Sequence, residues 1–466
     1  MIYFAFLVVA FVATLAVLKL KERSLYVLFL AAYTQNFIAP FLYTRGYIGK
    51  DWARGLVLLK DFLLLELFAW SVVLLFKQFR RPWPRPLKPL AILTAYCTFR
   101  FIVGVVFLND DWGQGITRVR NIWFPLEILV VVMVLTALHP EFGRKFLRDI
   151  TYILSALAVV ALGILLWAPR DFWVDNANIA EFQVEVKGDT ENEMNFEEGL
   201  SLAGTMQGRE TLMFLSSFRA LGTFGEALAL SLSMAVPVLL LSFYFPKSMI
   251  SMLSLVAASA ALFFSLTRSA WIFCGFVAIY VLLRRHQYRP FLVAGGALLA
   301  FFLLWPPMAE FAALTVSHLS PSADNPDSLH AEGVLWFYTR GFSDSRNILG
   351  KGMSAEVRDI PESGYAYLLE HFGAVAYVSF LWFCVSLYRQ LRVVRRRNAA
   401  LSTVAQAIPL GILIIMHFSQ YPFSLPAFLS LWYVVGLCLS DYLHPRTDLG
   451  LKPASVDGLA PQIQPA

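Results

Sequence analysis

Apolar runs of about 17–22 residues recur along the chain, and their length constrains the fold more than any other feature. A helix rises 1.5 Å per residue, so about 20 apolar residues span the ~30 Å hydrocarbon core of a bilayer. In lipid, helices of this length satisfy their backbone hydrogen bonds internally. We therefore expect an all-α polytopic membrane protein with about 12–13 transmembrane helices.

Thirteen runs have the required length and hydropathy. The first lacks a basic start and a small-residue cleavage site, so we interpret it as a helix and not as a signal peptide. The sequence sets this number to within one or two, because one turn, at 246–248, is tight and one run is short. The runs cover residues 2–18, 24–43, 56–76, 87–108, 122–138, 150–168, 228–245, 249–266, 269–283, 290–306, 364–388, 403–419 and 426–443.

The composition agrees with a membrane protein. Hydrophobic residues make up 58% and charged residues 15%, against roughly 25% charged in soluble domains. These values exclude a cytosolic globular enzyme, a disordered chain and a secreted disulfide scaffold. The four cysteines lie in apolar runs without metal-binding spacing, so we interpret them as apolar filler. The net charge of +6 indicates asymmetric loops and gives no reason to expect nucleic-acid binding.

The loops alternate between short basic ones and longer ones that contain most of the acidic residues. Basic loops face the cytoplasm, which places the N-terminus outside and the C-terminus inside. The basic residues cluster within 19–23, 77–88, 144–148, 247, 284–289 and 389–397, and the opposite loops include 44–55, 109–121, 169–225 and 307–363.

The chain divides into membrane segments and loops by this pattern. The acidic loop at 169–225 is typical of a solvated cap. It is a poor site for a diphosphate, because its carboxylates repel anions. The Pro-rich tail is expected to be disordered. The divisions are N-terminal transmembrane helices at 1–168, the acidic periplasmic loop at 169–225, further transmembrane helices at 226–306, a second periplasmic loop at 307–363, C-terminal transmembrane helices at 364–444 and a cytoplasmic tail at 445–466.

Two arginines are predicted to lie at the outer membrane face. Arg219 comes just before an inward-running helix, and Arg268 lies at a sharp junction where Thr267 and Ser269 can cap the next helix. Two cations and helix N-terminal amides at one face would suit a lipid diphosphate. Snorkelling of each arginine toward lipid headgroups is the structural alternative.

The stretch 361–376, PESGYAYLLEHFGAVA, closes the second long loop. Glu362 at the start of this helix is a candidate general base, although Glu362 and Ser363 are also common helix-capping residues. Glu370 and His371 lie about two turns deeper and either line a polar cavity or form an internal pair. The preceding Gly350-Lys351-Gly352 is interpreted as a turn.

The order of these motifs resembles the O-antigen ligase/polymerase superfamily, best from about 215 to 440 and only in topology before that. This makes 226–306 the core helices of the family. The motifs are R-x-x-G-T-F at 219–224, T-R-S-A at 267–270, a Trp-bearing segment at 330–336, N-I-L-G-K-G at 347–352 and the 361–376 stretch.

The resemblance implies a membrane glycosyltransferase, similar to the GT-C type, that moves glycans from undecaprenyl diphosphate. Arg219 and Arg268 match the arginines of the family. The ligase branch has His, then Asn, Ser or Gln, nine residues, and G-x-x with Gly, Thr or Tyr. Here Glu362 stands in the place of the histidine, and Ala376 in the final position. This departure weakens the ligase interpretation and favours a polymerase.

The chemistry of the resemblance assigns roles to three residues. A lipid diphosphate is a good leaving group, so the site needs cationic stabilisation of the departing charge and a base for the acceptor hydroxyl. Arg219 and Arg268 fit the first role and Glu362 the second. Direct displacement would invert the anomeric centre. We predict no cofactor and no metal site, and interpret Asp110-Asp111 as a solvated loop.

Other residues are weaker candidates for substrate binding. Each has a structural alternative: helix flanking, a buried loop core or an interfacial position. They are Arg118 and Arg120 before the 122–138 run, Arg340, Arg346 and Trp336 (with Phe337 and Tyr338) in the outer loop, and Tyr365, His371 and His417 near the outer ends of helices. Glu66 and Arg100 are intramembrane ions that either pair with each other or line a lipid channel.

The leading hypothesis is a polymerase of undecaprenyl-diphosphate-linked repeat units that builds O-antigen or exopolysaccharide at the periplasmic face of a bacterial inner membrane. A ligase that moves glycan to lipid A core or another acceptor is the close alternative. A transporter is the remote one, because the sequence shows no related halves and its ionic candidates cluster at one face, beside long outer loops. The expected partners are the lipid-linked donor, a glycan or lipid acceptor, the bilayer, and a flippase and chain-length regulator, with no nucleic acid.

Overall fold

Helices are the only regular elements in the part of the chain that the structure describes. The computed structural model describes residues 2–79, 84–107, 112–167, 181–187, 220, 222–224, 227–265, 267–285, 341, 346–352, 363–394, 399–417, 419 and 421–443.

Twelve long helices cover these residues. They are α1 (Ile2–Leu20), α2 (Ser24–Thr44), α3 (Lys50–Gln78), α4 (Leu87–Phe107), α5 (Trp112–Leu138), α6 (Pro140–Trp167), α7 (Ala227–Phe243), α8 (Met249–Phe264), α9 (Arg268–Arg284), α10 (Ala374–Val394), α11 (Ala399–Ile415) and α12 (Leu425–Leu443). Short turns lie at Lys21–Arg23, Phe182–Lys187, Gly222–Phe224, Arg346–Leu349, Gly364–Tyr367, Leu368–Phe372 and Tyr421–Phe423.

The protein is an all-α polytopic membrane protein. Six helical stretches are long and apolar enough to cross a bilayer, and four shorter apolar helices accompany them among the described residues. Twelve of the thirteen predicted runs fall on helices, and the run 290–306 lies outside the described residues. The six stretches are Tyr3–Thr44, Leu87–Phe107, Gly115–Leu138, Pro140–Trp167, Ala374–Val393 and Leu425–Leu443.

Helices α1 and α3 run side by side in the same direction, so α2 crosses back between them. A methyl group added at Gly55 would lie 3.1 Å from Val9 Cγ2. Further along, Thr14 Oγ1 donates to Glu66 Oε1 at 3.0 Å. We call the end of the bundle where α1, α3 and α5 begin the loop-rich end, because Trp167 and Ser363, which border the two long loops, lie there.

The opposite end, the basic end, brings together helix ends that the alternation predicts to meet. Tyr26 at the start of α2 donates to Asp149 Oδ2 near the start of α6 at 2.7 Å. Arg285 Nη1 after α9 donates to the carbonyl of Phe243 at the end of α7 at 3.0 Å. These contacts agree with the predicted alternation of helix directions.

Helix α12 packs against α5 at the centre of the bundle. A methyl group added at Gly436 would lie 2.9 Å from Val132 Cβ, so the two backbones approach closely. Tyr433 donates to the carbonyl of Gly143 at 2.9 Å and ties α12 to α6. Trp432 is fully buried. Along α12, the aromatic side chains of Trp432 and Tyr433 therefore fill the core next to the close helix contact at Gly436.

The predicted continuous span 364–388 is wrong. A helical turn at Gly364–Tyr367 passes into a π turn at Leu368–Phe372, and α10 begins only after Gly373. Gly373 has φ +89°, a conformation that L residues with a Cβ rarely adopt. This backbone geometry interrupts the helix.

Part of the acidic loop folds against the helices. Phe182 and Val186 are buried beside Ala39 and Ala53, at the corner between α2 and α3. Arg54 Nε donates to the carbonyl of Val186 at 2.9 Å. This segment is therefore a packed element, whereas a solvated cap was the expectation.

We expect Gly436→Ala to destabilise the protein by about 1–3 kcal/mol, because the added methyl group overpacks the contact with α5. Gly163→Ala is the matched control, since nothing lies within 4 Å of its added methyl group and helical alanine gains roughly 0.5–1 kcal/mol over glycine. Thermal unfolding in detergent measures both. Equal midpoints for the two variants would contradict the close packing of α5 and α12.

Candidate functional site

The segment after Glu362 is fixed against the turn that follows α11. Ser363 Oγ accepts from the Ala366 amide at 3.4 Å and donates to the carbonyl of Met416 at 3.3 Å. A methyl group added at Gly364 would lie 2.5 Å from Met416 Sδ, so only glycine fits there. Ser363 is therefore a helix cap, as predicted for it from the sequence.

Tyr365 and His417, both candidate substrate-binding residues, contact each other. Their rings meet edge to face with centroids 4.8 Å apart. The Tyr365 hydroxyl donates to the carbonyl of Leu413 at 2.7 Å, and the residue is 4% exposed. These contacts hold the 363–367 segment on α11, so Tyr365 has a structural role, while His417 remains half-buried at the loop-rich end.

Two glycine backbones pack directly against each other beside this segment. Gly350 has φ +83° and Gly373 φ +89°. A methyl group added at Gly350 would lie 2.5 Å from the carbonyl oxygen of His371, and one at Gly373 would lie 2.7 Å from the amide of Gly350. Residues 350–352 form an irregular segment in which both glycines have positive φ angles, and this segment packs against the break before α10.

Lys351 and Glu370 form an ion pair across this contact. The Lys351 amide also donates to the carbonyl of Glu370 at 2.6 Å. Glu370 is buried, and a buried carboxylate needs a compensating partner. Glu370 therefore belongs to an internal pair, one of the two roles expected for it.

His371 is buried, with 1% of its surface exposed. Its Nδ1 lies 3.2 Å from Arg118 Nη1 and 3.1 Å from the carbonyl oxygen of Gly352. Burial, with the positive charge of Arg118 in second place, lowers the pKa of His371 from 6.5 to about 4. The imidazole is therefore neutral at neutral pH.

Arg118 and Arg100 reach the same backbone stretch from two helices. Helix α5 begins at Trp112, so Arg118 lies on its second turn, whereas we expected it to precede the helix. Arg100 Nη2, from α4, donates to the carbonyl of Gly350 at 3.0 Å. Arg118, Arg100 and His371 thus gather around residues 350–352.

The suggested pairing of Glu66 with Arg100 is wrong. Glu66 bonds to Thr14 on α1, and Arg100 bonds to Gly350. Both residues are intramembrane ions by sequence, but their helices turn them toward different neighbours. Spacing along the sequence gives no information on that rotation.

Arg120 points to a different partner from Arg118. Its Nη1 lies 3.2 Å from Asp61 Oδ2, and Lys60 Nζ lies 3.8 Å from the same oxygen. This ion pair joins α5 to α3, which favours a structural role for Arg120. The sequence interpretation missed Lys60 and Asp61, although two charges inside an apolar run are the signal that could have identified them.

The segments that carry Arg219 and Arg268 meet at the loop-rich end. The amide of Ala220 donates to the carbonyl of Phe264 at 3.0 Å, and α9 begins at Arg268. Asn36 Nδ2 donates to the carbonyl of Phe224 at 2.8 Å and holds the Gly222–Phe224 turn against α2. Ala220, the neighbour of Arg219, is therefore hydrogen-bonded to a residue that precedes the start of α9 by four positions in the sequence.

Several candidate residues fall where the structure gives no description. Arg219, Trp336, Arg340 and Glu362 lie outside the described residues, as do Asp110-Asp111 and the 445–466 tail. The side chains of Arg268 and Arg346 lie outside them too. Their roles stay predictions from the sequence.

The described residues contain no group of three or more His, Cys, Asp or Glu that could hold a metal ion. All four cysteines are buried and free. No protein-family model, curated protein or solved structure matches the chain significantly.

We expect acid to destabilise the protein partly through His371. Its pKa is lower in the folded protein than in the unfolded chain, so the unfolded state binds more protons below about pH 6.5, and stability falls as the pH falls toward 4. The contribution of this one group is a loss of about 2 kcal/mol at pH 5 relative to pH 7.5.

Comparing wild type with His371→Asn isolates this contribution, because Arg118, Lys351 and Glu370 are present in both. Thermal unfolding at pH 7.5 and pH 5 should show a steeper fall for wild type. Parallel curves for the two proteins would mean that His371 is not held neutral by its surroundings.

Proposed function

We propose that the protein is an inverting membrane glycosyltransferase that polymerises undecaprenyl-diphosphate-linked repeat units at the outer face of a bacterial inner membrane. The observation that carries the proposal is the hydrogen bond between Ala220 and Phe264. It supports a shared site for Arg219 and Arg268, the two residues that the resemblance assigns to the diphosphate.

A second contact supports the place of the base. Ser363, next to Glu362, is anchored to Met416, in the turn after α11 at the same loop-rich end. The described residues next to the proposed base and next to the proposed leaving-group arginines, Ser363, Ala220 and Phe264, therefore lie at one end of the bundle. A transferase of this kind needs both functions at one membrane face.

The proposed reaction is a single displacement. An acceptor hydroxyl oxygen attacks the anomeric carbon of the donor sugar, and the bond between that carbon and the diphosphate oxygen breaks. Glu362 takes the hydroxyl proton. The two arginines stabilise the negative charge that develops on the lipid diphosphate. The cations of the chain can supply this stabilisation, so we expect transfer without an added metal ion.

Deletion of the gene, followed by gel analysis of surface glycan, tests the proposal. We expect single repeat units to accumulate, wild type to restore long chains, and Arg268→Ala and Glu362→Gln to fail at equal membrane levels. Loss of an essential proton acceptor or charge-stabilising group typically lowers rates 100-fold or more. Arg148→Gln, an exposed site at the basic end, is the control and should restore long chains.

The same gel separates the other functions. Long chains that stay on the lipid carrier and never reach their acceptor would identify a ligase. Unchanged glycan in the deletion strain would contradict both transferases and return the transporter as the hypothesis. Full activity of Glu362→Gln would show that another group takes the proton.

A further inference from the structure

A groove between α1 and α3 opens on the outside of the bundle. Its volume is about 390 Å³, and its lining includes Leu18, Trp70 and Val73. Leu18 is 68% exposed and Val73 is 48% exposed. Exposed apolar side chains on membrane-spanning helices face hydrocarbon, and a patch of them marks a site of membrane interaction. The groove is therefore accessible to lipid.

The residues that line the groove form one stripe on each helix. On α1 they start at Thr14 and end at Lys21, and on α3 they start at Glu66 and end at Val73. Seven residues of helix rise about 10 Å. The charged groups therefore lie at two levels, with Lys21 at the basic end and Glu66 about 10 Å farther into the membrane. Mainly apolar side chains separate them.

Lys21 has a backbone conformation that is unfavourable for lysine. Its φ angle is +51°, and it is the only residue other than glycine with a positive φ in the part of the chain that the structure describes. Glycine and asparagine usually occupy this conformation, because a Cβ is crowded in it. A residue that departs from this preference indicates a function for its side chain, and the side chain of Lys21 lines the groove.

The charge at this end of the groove is positive. The end of α1 and the turn after it contain three cations, Lys19, Lys21 and Arg23, against the one carboxylate of Glu22, a net charge of +2. The three cations are exposed, as is Lys77 near the end of α3. None of these cations takes part in the ion pairs of the described residues. Exposed cations at a membrane surface attract anionic lipid headgroups.

The hydrogen bonds of Thr14 favour a neutral Glu66 at the deep end of the groove. Thr14 Oγ1 lies 3.0 Å from Glu66 Oε1 and 3.0 Å from the carbonyl oxygen of Ala10. An ionised Glu66 would share the one hydroxyl proton of Thr14 with Ala10, whereas a protonated Glu66 donates to Thr14, which then donates to Ala10. The ion pairs of the described residues do not include Glu66, and a lone carboxylate in hydrocarbon is costly.

We propose that this groove binds an anionic phospholipid from the leaflet at the basic end. The phosphate contacts Lys21, and one acyl chain lies against Leu18, Trp70 and Val73 as far as the neutral carboxyl of Glu66. The cation at the membrane surface and the apolar lining below it match the two parts of a phospholipid in the order in which the lipid presents them. The site lies at the opposite end of the bundle from the proposed sugar transfer and does not rest on the proposed function.

Quenching of tryptophan fluorescence by brominated lipids tests the site, because Trp70 lines the groove. The chain has 12 tryptophans, so the signal of Trp70 is the difference between the full-length protein and its Trp70→Phe variant in nanodiscs. We expect brominated phosphatidylglycerol to quench this signal at an about 5-fold lower mole fraction than brominated phosphatidylcholine, the effect of one lysine near a lipid surface.

Four variants, each measured with and without Trp70→Phe, locate the origin of the preference. Lys21→Asn removes the charge and suits the positive φ angle, so it should fold at least as stably as wild type and lose the preference for phosphatidylglycerol. Lys21→Arg should keep it. Lys19→Gln is the matched control, because Lys19 is a cation at the same end that does not line the groove. Glu66→Gln replaces a neutral carboxyl with a neutral amide and should also keep the preference.

The proposal is overturned by any of four results. Equal quenching by the two lipids in wild type would show a groove that takes lipid without regard to charge. An equal loss in Lys21→Asn and Lys19→Gln would assign the preference to the basic end as a whole. Loss of the preference in Glu66→Gln would mean that Glu66 is not a neutral floor. Quenching of Trp70 by neither lipid would show that protein, such as a second copy of the chain, covers the groove.

Discussion

The contact between Gly350 and Gly373 determines where the polar groups of the loop-rich end lie. Both residues have positive φ angles, and neither position leaves room for a Cβ. The contact stops the 364–372 turns from continuing into α10. It also aligns Lys351 with Glu370 and Gly352 with His371. Without it, these side chains would have no fixed relation to one another.

A break of this kind is tolerated in a membrane protein only where the freed backbone groups find partners. The amide of Gly373 donates to the carbonyls of Leu368 and Leu369 at 3.0 and 2.9 Å, and the Lys351 amide donates to that of Glu370. Arg100 Nη2 donates a hydrogen bond to the carbonyl of Gly350 at 3.0 Å. These backbone groups therefore have partners, whereas two buried side-chain nitrogen atoms beside them, Nε2 of His371 and Nε of Arg100, have none among the described residues.

The sequence predicted the elements well because bilayer thickness fixes their length. Twelve apolar runs fall on helices, although α3, α5 and α6 begin six to ten residues before the predicted runs. The alternation of basic loops agrees with contacts such as Tyr26 with Asp149. The prediction of one continuous helix over 364–388 was wrong, because hydropathy carries no information on the positive φ angle of Gly373. The predicted start of α5, at residue 122, was ten residues late, because the first turns of this helix are polar as far as Arg120.

The site was predicted less completely, because rotation about a helix axis is invisible in composition. Arg118 and Arg120 are two residues apart, yet the first reaches His371 and the second Asp61. His371 and Arg118 were candidates as single residues. Their meeting with Arg100 depends on the packing of the 346–352 segment, which no motif spacing specifies. The proposed base and diphosphate arginines stay predictions, supported by the backbone that adjoins them.

Transfer by the purified protein tests the central claim most directly. The lipid-linked repeat unit would be extracted from a deletion strain and placed with the protein in liposomes, with a chelator present, and the chain length measured by mass spectrometry. The account predicts glycans of several repeats, absent with Arg268→Ala and Glu362→Gln. Unchanged single repeats with folded wild-type protein would contradict it.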